Sequence, residues 1–377
     1  VHAYRPSDIR RGLLAGGLAI IIIIVVPIGS PETYARSAAG AKGPLTAAYE
    51  HGLSGSSDLN VYVVPKAPGP MAIGPNGNLY IADDTRDQIL ERLSNGRFVV
   101  VAGDGKRGSS GDGGPAVKAE LDGPGGMAFS PAGALYFADI GNNEVRRFVP
   151  GGNISTVAGA PGRWTGPLVN GEAALHAHLL SPTDVAFGPS GEVYIADTGD
   201  NEVLRVGRDD KLDLVAGDPH IRAEGIANMG MPATKASPDG PAGIAFNRTG
   251  DLFIFGSNTK ALLMIGPNGI IHALIGQQPM TGFFPHSAGG LVTAPDGQVF
   301  GLDAQSLYRL TTTGARNVVD FITDALTRDW SGFLPNGIAV AANGSIYVDT
   351  DGASGYTQTP GIVKIRQDGA GHVIWQG

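Results

Sequence analysis

From about residue 60 onward the chain reads as short apolar runs of four or five residues, separated by polar turns that carry Gly. The run LYIADDTRDQI at 79–89 returns as LYFADIGNNEV at 135–145 and as VYIADTGDNEV at 193–203. Weaker copies follow: LFIFGSNTKAL at 252–262, VFGLDAQSLYRL at 299–310 and IYVDTDGASGY at 346–356. An aromatic residue marks each copy, at Tyr80, Tyr136, Tyr194, Phe253, Phe300 and Tyr347, at intervals of 56, 58, 59, 47 and 47 residues. A Gly-bearing turn precedes each, from Pro75-Asn76-Gly77 to Ala342-Asn343-Gly344, and a short apolar strand precedes each turn. Each unit therefore predicts strand, tight turn, strand, polar turn, strand, turn, strand; in the second unit the strands fall at 126–129, 134–138, 145–148 and 154–157. The Gly in the first turn supplies a positive φ that a Cβ would oppose. A four-stranded sheet repeated about six times predicts an all-β, six-bladed β-propeller, in which radial packing buries both faces of each sheet. Closure is required, because an open ring exposes unpaired strand edges. Two strands are candidates for it, 60–64 before the first unit and 372–375 at the end.

The N-terminal region has a different pattern. Residues 12–28 read GLLAGGLAIIIIIVVPI, and no charge occurs between Arg11 and Glu32. A run of about 20 apolar residues is long enough to cross a bilayer as a helix, and a helix apolar on every face lacks the polar stripe of a soluble one. Arg5, Arg10 and Arg11 precede it and predict a cytoplasmic N-terminus. The expectation is a cytoplasmic tail at 1–11, a transmembrane signal anchor at 12–30, a flexible linker rich in Ala, Gly, Ser and Pro at 31–59, and the propeller at 60–377. A cleaved signal, with Ala39-Gly40-Ala41 as the small-residue site, and a buried core helix are the competing readings. The expected location is the cell membrane, single-pass, with the C-terminal domain extracytoplasmic, or secreted if the N-terminal segment is cleaved.

Composition narrows the chemistry. The 377 residues include 58 Gly, 26 Pro and no Cys. The absence of Cys excludes a disulfide scaffold, a zinc–thiolate site, a Cys nucleophile and an iron–sulfur centre. So much Gly and Pro is incompatible with a helical bundle. The formal net charge of −8 argues against a nucleic-acid partner.

On these repeats the chain resembles exported bacterial six-bladed propellers built of NHL repeats. The segment AGDGKRGSSGDGGPAVKAELDGPGGMAF at 102–129 is similar to that family's blade-joining segment, with a degenerate copy at 170–187. The resemblance runs from about residue 60 to the end and is strongest in the first three units. The fourth has Gly256 where the others place Asp, and the sixth places Thr350 there. The resemblance extends to the extracellular sensor propeller of bacterial receptor kinases and implies binding; the zinc-dependent amidating lyases and divalent-ion lactonases, also propellers, imply an enzymatic alternative.

Candidate chemistry is sparse. The repeated Asp83, Asp139, Asp197 and Asp303 could form an axial ring of acids; their repetition favours caps of each blade's own turn. Arg147, Arg205, Arg309 and Lys364 recur in third strands and are expected to pair with acids on neighbouring blades. The Gly-rich stretch 103–122 lacks the Gly-Lys-Ser/Thr ending of a phosphate loop and reads as a join with a short helix at 115–121. His176 and His178 would share a face on a strand but not on a loop, and no third metal ligand accompanies them. No catalytic residue, metal site or cofactor is assigned.

Binding is placed on the face that gathers the long joins 103–123, 160–181 and 218–240, with Arg107, Arg163, Trp164, His220, Arg222, Phe283, His286 and Trp330 as the candidate ligand-binding residues. The expected function is a membrane-anchored extracytoplasmic propeller that binds a protein, peptide or cell-envelope ligand without catalysis. The alternative is a divalent-cation-dependent lactonase or lyase.

Overall fold

The structure is a computed structural model that describes Val63 and residues 65–160, 170–218, 227–238, 240–258, 261–275, 290–302, 306–320, 337–350, 361–365 and 371–376. The chain divides into units of residues 1–57 and 58–377, and every described residue lies in the second. The segment 12–30 therefore lies outside the described residues. Among those described, no helix is long and apolar enough to cross a membrane.

Six antiparallel sheets follow one another, each of four strands in chain order. Blade 1 is β1 (Pro68–Ile73), β2 (Leu79–Asp83), β3 (Gln88–Arg92) and β4 (Phe98–Ala102). Blade 2 is β5 (Pro124–Phe129), β6 (Leu135–Asp139), β7 (Glu144–Phe148) and β8 (Ile154–Ala158). Blade 3 is β9 (Pro182–Phe187), β10 (Val193–Asp197), β11 (Glu202–Val206) and β12 (Leu212–Ala216). Blade 4 is β13 (Pro241–Phe246), β14 (Leu252–Gly256), β15 (Ala261–Ile265) and β16 (Ile271–Ile275). Blade 5 is β17 (Leu291–Thr293), β18 (Val299–Leu302), β19 (Ser306–Thr311) and β20 (Gly314–Asp320). Blade 6 is β21 (Ile338–Val340), β22 (Ile346–Thr350), β23 (Gly361–Ile365) and β24 (Gly371–Gln376).

Second strands such as LYIAD are buried along their whole length in blades 1 and 4, which is why these runs are apolar rather than alternating. The turn glycines Gly77, Gly133 and Gly191 sit at φ +77°, +84° and +85°.

The recurring aromatic residue joins blade to blade. Its ring meets the Phe that ends the next blade's inner strand, edge to face: Tyr80–Phe129 at 4.9 Å, Tyr136–Phe187 at 5.0 Å and Tyr194–Phe246 at 4.6 Å between centroids. Each such pair contributes about 0.5–1.5 kcal/mol beyond its buried area. At the next boundary the Phe is replaced by Thr293, whose Oγ1 donates to Phe246 O at 2.7 Å.

The inner strands β1, β5, β9, β13, β17 and β21 contact one another in ring order, and β21 returns to β1. Blade 6 carries its own outer strand at 371–376, so the last sheet is complete without the chain's beginning. From the other candidate strand, Val63 donates its N–H to Phe98 O at 3.1 Å, a single bridge on the outside of blade 1.

Candidate functional site

In the first three blades the repeated Asp at the end of the second strand points back to the segment that leads into its own blade, and Asp303 lies outside the described residues. Asp83 accepts the N–H of Lys66 at 2.8 Å, Asp139 that of Asp122 at 2.8 Å, and Asp197 that of Leu180 at 2.8 Å. The sequence expectation of caps on the blade's own turn is corrected in this respect. The turn bonds, Thr85 Oγ1 to Asp83 at 3.0 Å and Asn142 Nδ2 to Asp139 at 2.9 Å, are added to a latch that fixes where the blade begins. The fourth blade, with Gly256, uses the next residue: Ser257 donates its N–H and Oγ to Gly240 O at 2.8 and 2.9 Å. In the sixth the acid is Asp349, which accepts the N–H of Gly337.

Four residues past each of the first three Asp lies a second latch that sequence reading missed. Asp87, Asn143 and Asn201 occupy the left-handed region at φ +53°, +57° and +59°, which Asn and Asp tolerate better than other non-Gly residues. Their Oδ1 atoms accept the N–H of Gly123 at 2.9 Å, Ser181 at 2.8 Å and Gly240 at 2.6 Å, each in the segment leading into the following blade. Asp87, the one charged member, also receives Arg107 Nε at 3.3 Å, and Asp122 lies 3.5 Å from the same nitrogen. Arg107 thus spans blades 1 and 2 while its side chain stays 71% exposed, available to a ligand.

In blade 2 a guanidinium is buried where blades 1 and 3 have Leu90 and Leu204. Arg146 is 0% exposed. Its Nη1 donates to Glu120 O at 2.8 Å and lies 3.3 Å from Asp139 Oδ2; its Nη2 donates to Ser110 O at 3.2 Å and Asp112 Oδ1 at 2.7 Å; its Nε is 4.0 Å from Glu144. The residue therefore ties the join 103–122 to the third strand. Burial pushes the Asp139 carboxyl up to about 6 and Glu144 to about 7, against the pull of Arg146. Burial also raises Asp112, but the Arg146 guanidinium and the Thr156 N–H outweigh it and hold that carboxyl below its ordinary value. In blade 3 His178 takes the place of Glu120, with Nδ1 3.2 Å from Asp200 Oδ2. Burial, then the charge of Asp200, pushes Glu202 up to about 7, and the same causes push Asp197 well above its ordinary value.

At the ring's centre the equivalent inner-strand positions are Pro70, Gly126, Asp184, Gly243, Gly290 and Gly337. A Cβ on Gly126 would run into Asp184, and one on Gly337 into the backbone of Gly69 and Pro70. Asp184 is 4% exposed and accepts the N–H of Val185 and, across the blade boundary, of Ile244, both at 2.9 Å. Burial raises its carboxyl to about 8. Among the described residues no group of three His, Asp or Glu side chains could hold a metal ion.

Of the eight candidate ligand residues, only Arg107 is described; Arg163, Trp164, His220, Arg222, Phe283, His286 and Trp330 lie outside the described residues. His176 ends a short 3-10 turn (Ala174–His176) and is exposed, whereas His178 turns inward to Asp200, so the two do not converge. The join's short helix is a 3-10 turn at Ala116–Lys118. The third-strand cations do not reach acids on neighbouring blades as expected: Arg205 pairs with Asp213 of its own blade at 2.6 Å, Arg147 donates to Tyr136 Oη at 2.9 Å, and Lys364 lies over the Tyr347 ring at 5.5 Å.

The sequence model of the teneurin NHL domain matches residues 88–226. Teneurin-3 of Danio rerio is 30% identical over 207 residues, 49% of this chain and 8% of that protein. Teneurin-m of Drosophila melanogaster is 31% identical over 231 residues, 55% of this chain and 8% of that protein. The chain thus spans under a tenth of the length of these relatives. Among solved structures, a streptogramin B lyase is similar with a TM-score of 0.51 at 15% identity, covering 84% of this chain and 85% of its own. The virginiamycin B lyase from Staphylococcus aureus gives 0.50 at 15%, covering 84% and 86%. At that identity the likeness establishes the fold alone. The six four-stranded blades, the repeated second-strand motif and the match to a teneurin NHL domain together make this chain an NHL-repeat six-bladed β-propeller.

Proposed function

We propose that this propeller is a membrane-anchored, extracytoplasmic binding domain that takes a protein, peptide or cell-envelope ligand on the face bearing the long joins, without chemistry of its own. The observation that carries the reading is the ring's centre. Among the described inner-strand residues its one acid, Asp184, is committed to two backbone N–H groups, and its neighbours at equivalent positions are four Gly and a Pro. An axial divalent ion of the lactonase or lyase kind needs several side-chain oxygens or nitrogens converging on one point. The similarity of residues 88–226 to the teneurin NHL domain supports a rigid ring used for recognition. The apolar run at 12–30 supports the anchor.

The test uses the full chain. Elemental analysis before and after chelator is expected to find no stoichiometric divalent ion, and retention of the protein on isolated cell-envelope material is expected to fall when Trp164 and Trp330 are both replaced by Ala. A stoichiometric ion together with chelator-sensitive lactone hydrolysis or lyase activity would establish the enzyme instead.

A further inference from the structure

Blades 2 and 3 meet along a cleft of about 390 Å³ at the end of the blades that carries the first and third turns, away from the second-strand turns. That size lies within the roughly 300–1,000 Å³ of ordinary ligand pockets. The floor is the Tyr136–Phe187 edge-to-face pair. One wall is Val157 of β8, with Leu175 from the 3-10 turn of the join, a large apolar side chain left 51% exposed. Two guanidiniums overlook it, Arg147 from β7 and Arg208 from the β11–β12 turn, the latter 81% exposed and 3.5 Å from Glu192.

The chain contains its own control for Arg147. One blade on, Arg205 holds the same place relative to Tyr194, and the residue opposite it in the register is Asp213, whose carboxylate it grips at 2.6 Å. In blade 2 the residue opposite Arg147 is Ser155. The described bonds of Arg147 are to a neutral partner, the Tyr136 hydroxyl at 2.9 Å, with the guanidinium carbon 5.7 Å from that ring's centroid. Blade 3 thus carries an internal carboxylate at a place where blade 2 leaves a guanidinium facing a cleft. An Arg so placed is a receptor for a carboxylate, because its planar fork matches the anion's two oxygens.

We propose that the seam between blades 2 and 3 is a binding site for an acidic peptide segment of a partner protein, with an Asp or Glu carboxylate taken by Arg147 in the place that Asp213 fills for Arg205, and an adjoining aliphatic side chain laid on Leu175 and Val157. The occupant is a peptide rather than a small acid because the exposed Leu175 and the guanidinium must both be covered, and a carboxylate alone covers only one. The site lies away from the second-strand turns and takes Leu175 alone from a long join, and its test involves none of the residues tested for the join-bearing face, so the two can fail separately.

The test follows from the internal control. Full-length protein is titrated, by fluorescence polarisation, with a labelled peptide Ala-Leu-Glu-Leu-Asp-Ala, with its Gln/Asn counterpart, and in competition with free glutarate. The acidic peptide is expected to bind, and the neutral counterpart to bind about tenfold more weakly or worse, as expected when a charged hydrogen-bonded pair is removed. Ser155→Asp installs blade 3's carboxylate beside Arg147 and is expected to abolish peptide binding without lowering the thermal midpoint, which distinguishes blockage from misfolding. Arg147→Ala is expected to have the same effect on binding. No saturable binding of the acidic peptide, equal binding of the neutral one, or binding indifferent to Ser155→Asp would overturn the proposal. Competition by glutarate at the peptide's own affinity would overturn the peptide assignment.

Discussion

Arg146 shows how one residue changes what a blade can do. Its counterparts Leu90 and Leu204 fill the same place with an apolar side chain. The guanidinium instead draws Asp112 and the carbonyls of Ser110 and Glu120 onto the blade, so the Gly-rich join 103–122 is fastened through a side chain that no solvent reaches. Breaking a buried pair by removing one partner leaves the other charges uncompensated and typically destabilises by about 3–5 kcal/mol. Arg146→Leu, a shape that two sister blades accept, is therefore expected to lower the urea midpoint strongly at pH 8. The loss is expected to shrink towards pH 5, where Asp139 and Glu144, already pushed up to about 6 and about 7 in the intact protein, take protons and no longer need the cation. It does not vanish, because two carbonyls lose their donor at every pH. A loss independent of pH would show that packing, not charge, explains the residue. Little along the chain signals this centre: Arg146 and Asp112 are 34 residues apart, and nothing in the repeat marks an Arg in a Leu position.

At the scale of the element, the unit of construction is the blade with its two latches. The first was legible as a recurring Asp, though not its target, because the N–H it binds lies 17 residues earlier, ahead of the repeated motif. The second was invisible to local reading, because Asn143 and Asn201 look like ordinary turn residues and their partners lie 38 and 39 residues downstream on the next blade. The blades themselves were legible because Gly turns and apolar strands are encoded locally. The seam between blades was not, because an edge-to-face pair such as Tyr136–Phe187 needs the ring to be closed first. The candidate face was the least legible part, because long joins follow no period. Asn143 separates the two demands on a latch. Asn143→Gly keeps the left-handed φ easy but loses the bond to Ser181, whereas Asn143→Ala loses the bond and adds about 1–2 kcal/mol of backbone strain at φ +57°. Chemical denaturation is expected to rank the variants wild type, then Gly, then Ala. Equal Gly and Ala variants would mean that the conformation carries no cost.

For the molecule as a whole, closing six sheets into a ring buries carboxyl groups that an open sheet would leave in water. Asp184 at the centre reaches about 8, Glu202 and Glu144 about 7, Asp139 about 6, and Asp197 rises well above its ordinary value; desolvation is the first cause in each. An unfolded chain releases these protons near pH 4, so between about pH 4 and pH 8 the folded ring holds protons that the unfolded chain has lost. Stability therefore falls as pH rises through that window. Asp112 acts in the other sense: its depressed value contributes stability that is present above pH 4 and lost as pH falls through its folded value. The two trends place the stability maximum near pH 4, so the urea midpoint of the full chain at pH 5 is expected to exceed that at pH 8. Asp184→Asn isolates the central contribution. Its amide oxygen can still accept the Ile244 N–H, but its NH2 cannot accept that of Val185, so the variant starts lower at pH 5 and falls less steeply between about pH 6 and pH 8. A slope unchanged by this substitution would mean that the acid at the centre of the ring stays ionised across the window and that burial there does not govern its charge.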